Sequence, residues 1–112
     1  MKKFCLALDL KDDAALIAEY EHWHQHVPQE IKKSIAEAGV ISMEIYRASN
    51  RLFMIMETND EFSFDKKSAM DANNPAVIQW EELMWKYQQQ IPLSKKAEKW
   101  ILMKKIFDFS TY

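Results

Sequence analysis

Large apolar residues alternate with smaller ones through FCLALDL (Phe4 to Leu10), and this two-residue period predicts a first strand. The next segment, DDAALIAEYEHWHQHV, shifts to helical spacing, with Asp12 or Asp13 placed to cap its N-terminus. Pro28 breaks that helix or opens a second, turn-rich segment, PQEIKKSIAEAG, which Gly39 closes as a C-terminal cap. VISMEIYRA and RLFMIMET read as two strands of a hairpin joined by a short polar turn at Ser49 and Asn50. DEFSFDKKSAMDA is a short helix. Asn74 caps a longer one, PAVIQWEELMWKYQQQI, with Pro75 at its first position and Pro92 beyond its end. EKWILMKKIFDF supplies the last strand. The order β-α-β-β-α-β is an α+β, ferredoxin-like arrangement.

The second hairpin strand is apolar on both faces. Leu52, Met54 and Met56 point one way, Phe53 and Ile55 the other. Helices cover only one face of such a sheet, so the other is expected to meet a second copy of the chain. The expectation is a homodimer built as an α+β barrel.

Composition narrows the function classes. The 112 residues, 48% apolar and 29% charged, fit one globular domain spanning 1–112 with a core of its own. A net charge of -2 argues against nucleic acid or anionic lipid as partner. One cysteine, Cys5, excludes an internal disulfide and fits a reducing compartment; it reads as a small core residue. Asp9 interrupts the N-terminal apolar run before it reaches signal-peptide length, and nothing approaches a membrane span. A cytoplasmic location is the expectation. A single glycine leaves no phosphate-binding glycine loop.

All three histidines fall in EYEHWHQHVPQE, and helical phase separates them. With Tyr20 as reference and about 100° per residue, Leu16, Ile17, Trp23 and Val27 lie within about 60°, which defines the buried stripe. His24 falls about 40° from Tyr20 and shares that stripe. His22 and His26 share the opposite side, beside Glu19. A lone inward histidine is commonly a core residue bonded to a neighbouring hydroxyl. A tyrosine one turn away aims a second polar tip into the same space, and a polar small molecule would satisfy both. His22 and His26 have the i, i+4 spacing of half a zinc site, but Trp23 stands where the metalloprotease helix carries glutamate, so no metal is expected there.

On the later helix, Val77, Trp80, Met84, Tyr87 and Ile91 form an inner stripe. Most of it reads as core. Trp80 also offers an indole face of the kind that stacks on a sugar ring. Trp85 lies off the stripe and is expected to be partly exposed or at an interface. Glu44 and Glu57 sit in hairpin strands, either as edge charges or as partners of Arg47 or Arg51, while Glu81 and Glu82 read as a solvated helix face. No Ser-His-Asp arrangement or glycine elbow is present.

EYEHWH, Glu30, Gly39, MEIYR, RLFMIMET and EKWILMKKIFDF together resemble the L-rhamnose mutarotase family, whose bacterial members act on L-rhamnose and L-fucose. The resemblance covers nearly the whole chain and is strongest from Tyr20 to Glu57. It implies a dimeric ferredoxin-like barrel, a catalytic proton donor at His24, substrate-binding residues at Tyr20 and Trp80, and no cofactor. Three departures concern the sugar. Met43 stands where rhamnose enzymes carry a second tyrosine, Glu81 where they carry a second tryptophan, and Val27-Pro28-Gln29 where a tryptophan usually follows the catalytic histidine. MEIYR and RLFMIMET look closer to the members linked to L-fucose.

Mutarotation asks for a base at the C1 hydroxyl and an acid at the ring oxygen, which one imidazole of near-neutral pKa can supply. The expected activity is therefore interconversion of the anomers of a 6-deoxy-L-hexose. Two other classes suit the same barrel: a haem-degrading or quinone-forming monooxygenase, and a non-enzymatic dimer that binds a small ligand.

Overall fold

A computed structural model describes residues 1–92, 94 and 99–110 of the chain. Strand β1 (Lys2–Leu10) is followed by helices α1 (Ala14–Gln25) and α2 (Gln29–Glu37). The hairpin β2 (Val40–Ala48) and β3 (Arg51–Thr58) comes next, then α3 (Phe64–Ala72) and α4 (Pro75–Trp85). Two short strands close the order, β4 (Gln88–Gln89) and β5 (Ile101–Leu102). The sheet is antiparallel in the order β2-β3-β1-β4, with β5 also paired to β1. This is the ferredoxin-like α+β fold, with two helices in each crossover.

Local chemistry sets the helix boundaries. Asp13 accepts from the Leu16 amide at 3.1 Å, Ser63 from Lys66 at 3.1 Å and Asn74 from Ala76 at 3.1 Å, each starting a helix. Pro28 has φ -57 and ψ 145, which ends α1 and starts α2. Gly39 follows α2 at φ +101, a conformation side chains rarely adopt, and a Cβ there would lie 2.7 Å from Asn59 Oδ1.

Register assigns the two faces of the sheet. Leu6 pairs with Met54 and Leu8 with Leu52; Leu6, Met54 and Leu52 join the core clusters, and Leu8 is fully buried between them. The core forms there in two clusters, one around Met56, Phe62 and Ala38, the other around Leu10, Tyr20 and Tyr87. The opposite face carries Cys5, Ala7, Phe53, Ile55 and Tyr46, none of which belongs to either cluster. Cys5 is thus half-buried on the helix-free face rather than inside the core.

Two expectations need correction. The last helix was expected to run through Ile91 but ends at Trp85. Lys86 and Tyr87 turn the chain with bonds back to Leu83 and Met84, and the Tyr87 carbonyl then accepts from Lys11 at 2.8 Å. Pairing with the free edge of β1 outweighs a sequence that could continue as helix. The last strand was expected over EKWILMKKIFDF, but the β1 edge is shared by β4 and β5, and among the described residues of that segment only Ile101–Leu102 forms a strand. The Met103 amide adds one bond to the Cys5 carbonyl, and Ile106, Phe107 and Phe109 beyond it are exposed. Glu98, at the start of the expected strand, lies outside the described residues. Among the described residues no helix is long and apolar enough to cross a membrane.

Candidate active site

Between the inner face of the sheet and the helices lies a cavity of about 480 Å³, large enough for a monosaccharide. Tyr20 and His24 of α1, Trp80 of α4 and Met43, Met54 and Met56 of the sheet line it. Its walls are mostly apolar, with a few polar groups set among them.

Tyr20 and His24 are one helical turn apart, so their rings lie against each other at 4.3 Å between centroids. His24 Nδ1 is 2.9 Å from the Tyr20 carbonyl oxygen. A carbonyl only accepts, so Nδ1 carries the proton and neutral His24 keeps its lone pair on Nε2. Burial lowers the His24 pKa, and the bond to the Tyr20 carbonyl offsets part of that effect. Tyr20 is 3% exposed, and its pKa is pushed up to about 12. Burial is the main cause, a hydrogen bond from Gln88 pulls the other way, and the nearby Glu81 charge adds to the rise.

Trp80 stands edge-on to His24 at 5.7 Å, with an interplanar angle of 65°. Trp23 meets Trp80 in turn at 6.4 Å and donates its indole N–H to the Tyr87 hydroxyl at 3.1 Å. The three residues singled out in the sequence therefore share one cavity. His22 and His26 do not join them. Both are exposed, their rings 4.8 Å apart, and among the described residues no three His, Cys, Asp or Glu side chains come close enough to hold a metal ion.

Several sequence expectations are revised. Trp23, placed on the buried stripe, is 37% exposed, and its ring packs against Trp80 without joining either core cluster. Glu81 and Glu82 are exposed, as a solvated helix face requires, but Glu81 has a further role. It lines the cavity and bonds Lys99, which also lies 4.7 Å from the Trp85 ring centroid. Adjacency to Trp80 was the one signal in the sequence for it. Trp85 is partly exposed, as expected. Glu44 accepts from the Tyr46 hydroxyl at 2.6 Å on the helix-free face, and Glu57 lies across the sheet from Lys3. Arg47 pairs with Glu21 and Arg51 with Asp9, so neither arginine takes a hairpin glutamate.

Two polar features were missed. Gln88, buried in β4, reaches Tyr20, a placement hidden by the expectation of a continuous helix. At α3, Lys67 and Asp71 form a 2.6 Å ion pair on the cavity wall, spaced i, i+4 like many surface pairs and so unmarked in sequence.

Known proteins can now be set beside this geometry. A relative from Xanthomonas campestris pv. campestris, described as an L-fucose mutarotase, is 42% identical over 98% of this chain and 90% of its own length. A UPF0734 protein of Dictyostelium discoideum is 30% identical over 99% of this chain and 92% of its own. Among solved structures, an L-rhamnose mutarotase from Formosa agariphila superposes with a TM-score of 0.72 at 19% identity, covering 98% of this chain and all of that one. A dimeric ferredoxin-like protein from an uncultured marine organism gives 0.55 at 14% identity, over 96% of this chain and 91% of its own. These last two likenesses concern the fold. The family model described as L-rhamnose mutarotase matches residues 3–109, so the chain belongs to the L-rhamnose mutarotase family.

Proposed function

We propose that the protein interconverts the α and β anomers of a 6-deoxy-L-hexose, with L-fucose as its first candidate substrate. The observation that carries this reading is the Tyr20–His24 pair facing one cavity, with the His24 Nδ1 proton committed to a carbonyl. Nε2 is then a base. It takes the proton of the C1 hydroxyl as the bond from C1 to the ring oxygen breaks and an aldehyde forms. The imidazolium gives that proton to the departing ring oxygen, which leaves C1 as the hydroxyl of C5. Rotation about C1–C2 and the reverse sequence close the ring on the other face.

A phenol held near pKa 12 keeps its proton through this cycle, so Tyr20 acts as a hydrogen-bond donor that orients the sugar. Trp80 offers the ring a stacking face, and the methionines at 43, 54 and 56 suit the apolar C6 methyl. The preference for L-fucose draws on the Xanthomonas relative's description and on Met43 replacing the second tyrosine. General acid-base catalysis contributes about 10²–10⁴-fold, a fitting demand for a reaction that already proceeds in water.

The same reading includes a cytoplasmic homodimer. Phe53, Ile55 and Ala7 form an apolar face without helices, Tyr46 is 52% exposed beside them, and Phe107 is 78% exposed on the C-terminal segment. A second copy would cover both features. The activity is tested by NMR magnetisation transfer between the C1 signals of the two anomers, with EDTA present. Faster exchange for L-fucose or L-rhamnose is expected. Unchanged exchange for both would overturn the assignment.

A further inference from the structure

One buried polar group of the cavity has no part in the proton transfer above. Gln88 is 5% exposed, and its backbone is fixed by pairing with Leu10 of β1. Its side chain interacts with the Tyr20 hydroxyl, and with Oε1 unpartnered the amide Nε2 is the group left to donate there. Among the described residues its Oε1 has no hydrogen-bond partner. A buried acceptor left in this way costs free energy comparable to a lost hydrogen bond, and such groups are nearly always satisfied in working proteins. If the position needed only to fill space, leucine or methionine would fill it without that cost.

The direction of the amide matters as well. With Nε2 donating to the Tyr20 oxygen, the phenol proton is left for another acceptor, and both residues line the cavity where a ligand could supply one. Gln88 also lines the cavity wall, and the terminal torsion of glutamine is soft enough to turn Oε1 toward a ligand.

We propose that Gln88 is a sugar-contacting residue, whose Oε1 accepts from one substrate hydroxyl while Nε2 holds the Tyr20 oxygen. The amide then fixes the rotation of the sugar over Trp80 and the direction of the Tyr20 proton together. The inference rests on the mutarotase reading and extends it to a determinant of which hydroxyl pattern is accepted.

The test compares wild type, Gln88→Met and Gln88→Glu by anomer-exchange NMR. The substrates are the 6-deoxy-L-hexose the wild type exchanges faster and its 2-, 3- and 4-monodeoxy derivatives. One derivative should lose about tenfold in kcat/KM with wild type, because its missing hydroxyl leaves Oε1 unpaired. Gln88→Met should lose a similar factor on the parent sugar and show no further loss on that derivative. Its Tm should equal or exceed wild type, since the unpaired oxygen is gone. Gln88→Glu keeps an acceptor but no donor for Tyr20, so it should retain the discrimination while kcat falls. An equal loss for Gln88→Met on every sugar, or KM within about twofold of wild type, overturns the proposal and leaves the mutarotase reading standing. A wild type inactive on both L-fucose and L-rhamnose overturns both.

Discussion

Lowering the pH should switch off the enzyme by protonating one residue, His24. Burial lowers its pKa from the ordinary 6.5, and its Nδ1 proton is already committed to the Tyr20 carbonyl. At pH 7 the ring is therefore neutral with Nε2 free to act as base. The exchange rate should stay level from pH 8 down to about 6.5, where an ordinary histidine would already have lost half its base form. Below the folded-state pKa it should fall about tenfold per pH unit. Stability follows the same group. Between pH 6.5 and the lower folded pKa the unfolded chain binds the extra proton, so stability present above 6.5 is lost as pH falls across that window. Removing the imidazole with His24→Ala should cost about 10²-fold or more in kcat/KM, about 3 kcal/mol of barrier, and flatten the profile. The assay is C1 magnetisation transfer in dilute buffer, because buffer ions catalyse mutarotation themselves. Circular dichroism must show His24→Ala folded. His22→Ala and His26→Ala, on the exposed side of α1, should remain within about twofold of wild type. A wild-type rate that rises as pH falls through 6, or a folded His24→Ala with normal activity, would refute the reasoning.

The homodimer should give about twice the 13.3 kDa chain mass by light scattering, and Ile55→Lys on the helix-free face should reduce it to one chain. A monomeric wild type, or an Ile55→Lys dimer as tight as wild type, would count against that interface. Gly39→Ala should destabilise by about 1–3 kcal/mol, from its φ of +101 and the approach to Asn59, and lower Tm by at least about 4 °C. Thermal melts reporting no loss would show that the turn relaxes freely.

The sequence alone determined what depends on near neighbours. Caps at Asp13 and Asn74, the break at Pro28 and the left-handed glycine after α2 act within a few residues, so pattern and residue type were enough. The same holds for Tyr20 and His24, because one helical turn fixes their common direction wherever the helix packs. Alternation in RLFMIMET likewise separated the face that meets the helices from the face that does not. Tertiary structure decided the rest. Residues 86 to 89 are compatible with helix, and only the open edge of β1 draws them into a strand and sets Gln88 beside Tyr20. Glu81 stays exposed, and only the fold shows that it also borders the cavity and pairs with Lys99, 18 residues further along the chain. Periodicity carries no record of such distant contacts, since their free energy belongs to pairs of segments rather than to either segment alone.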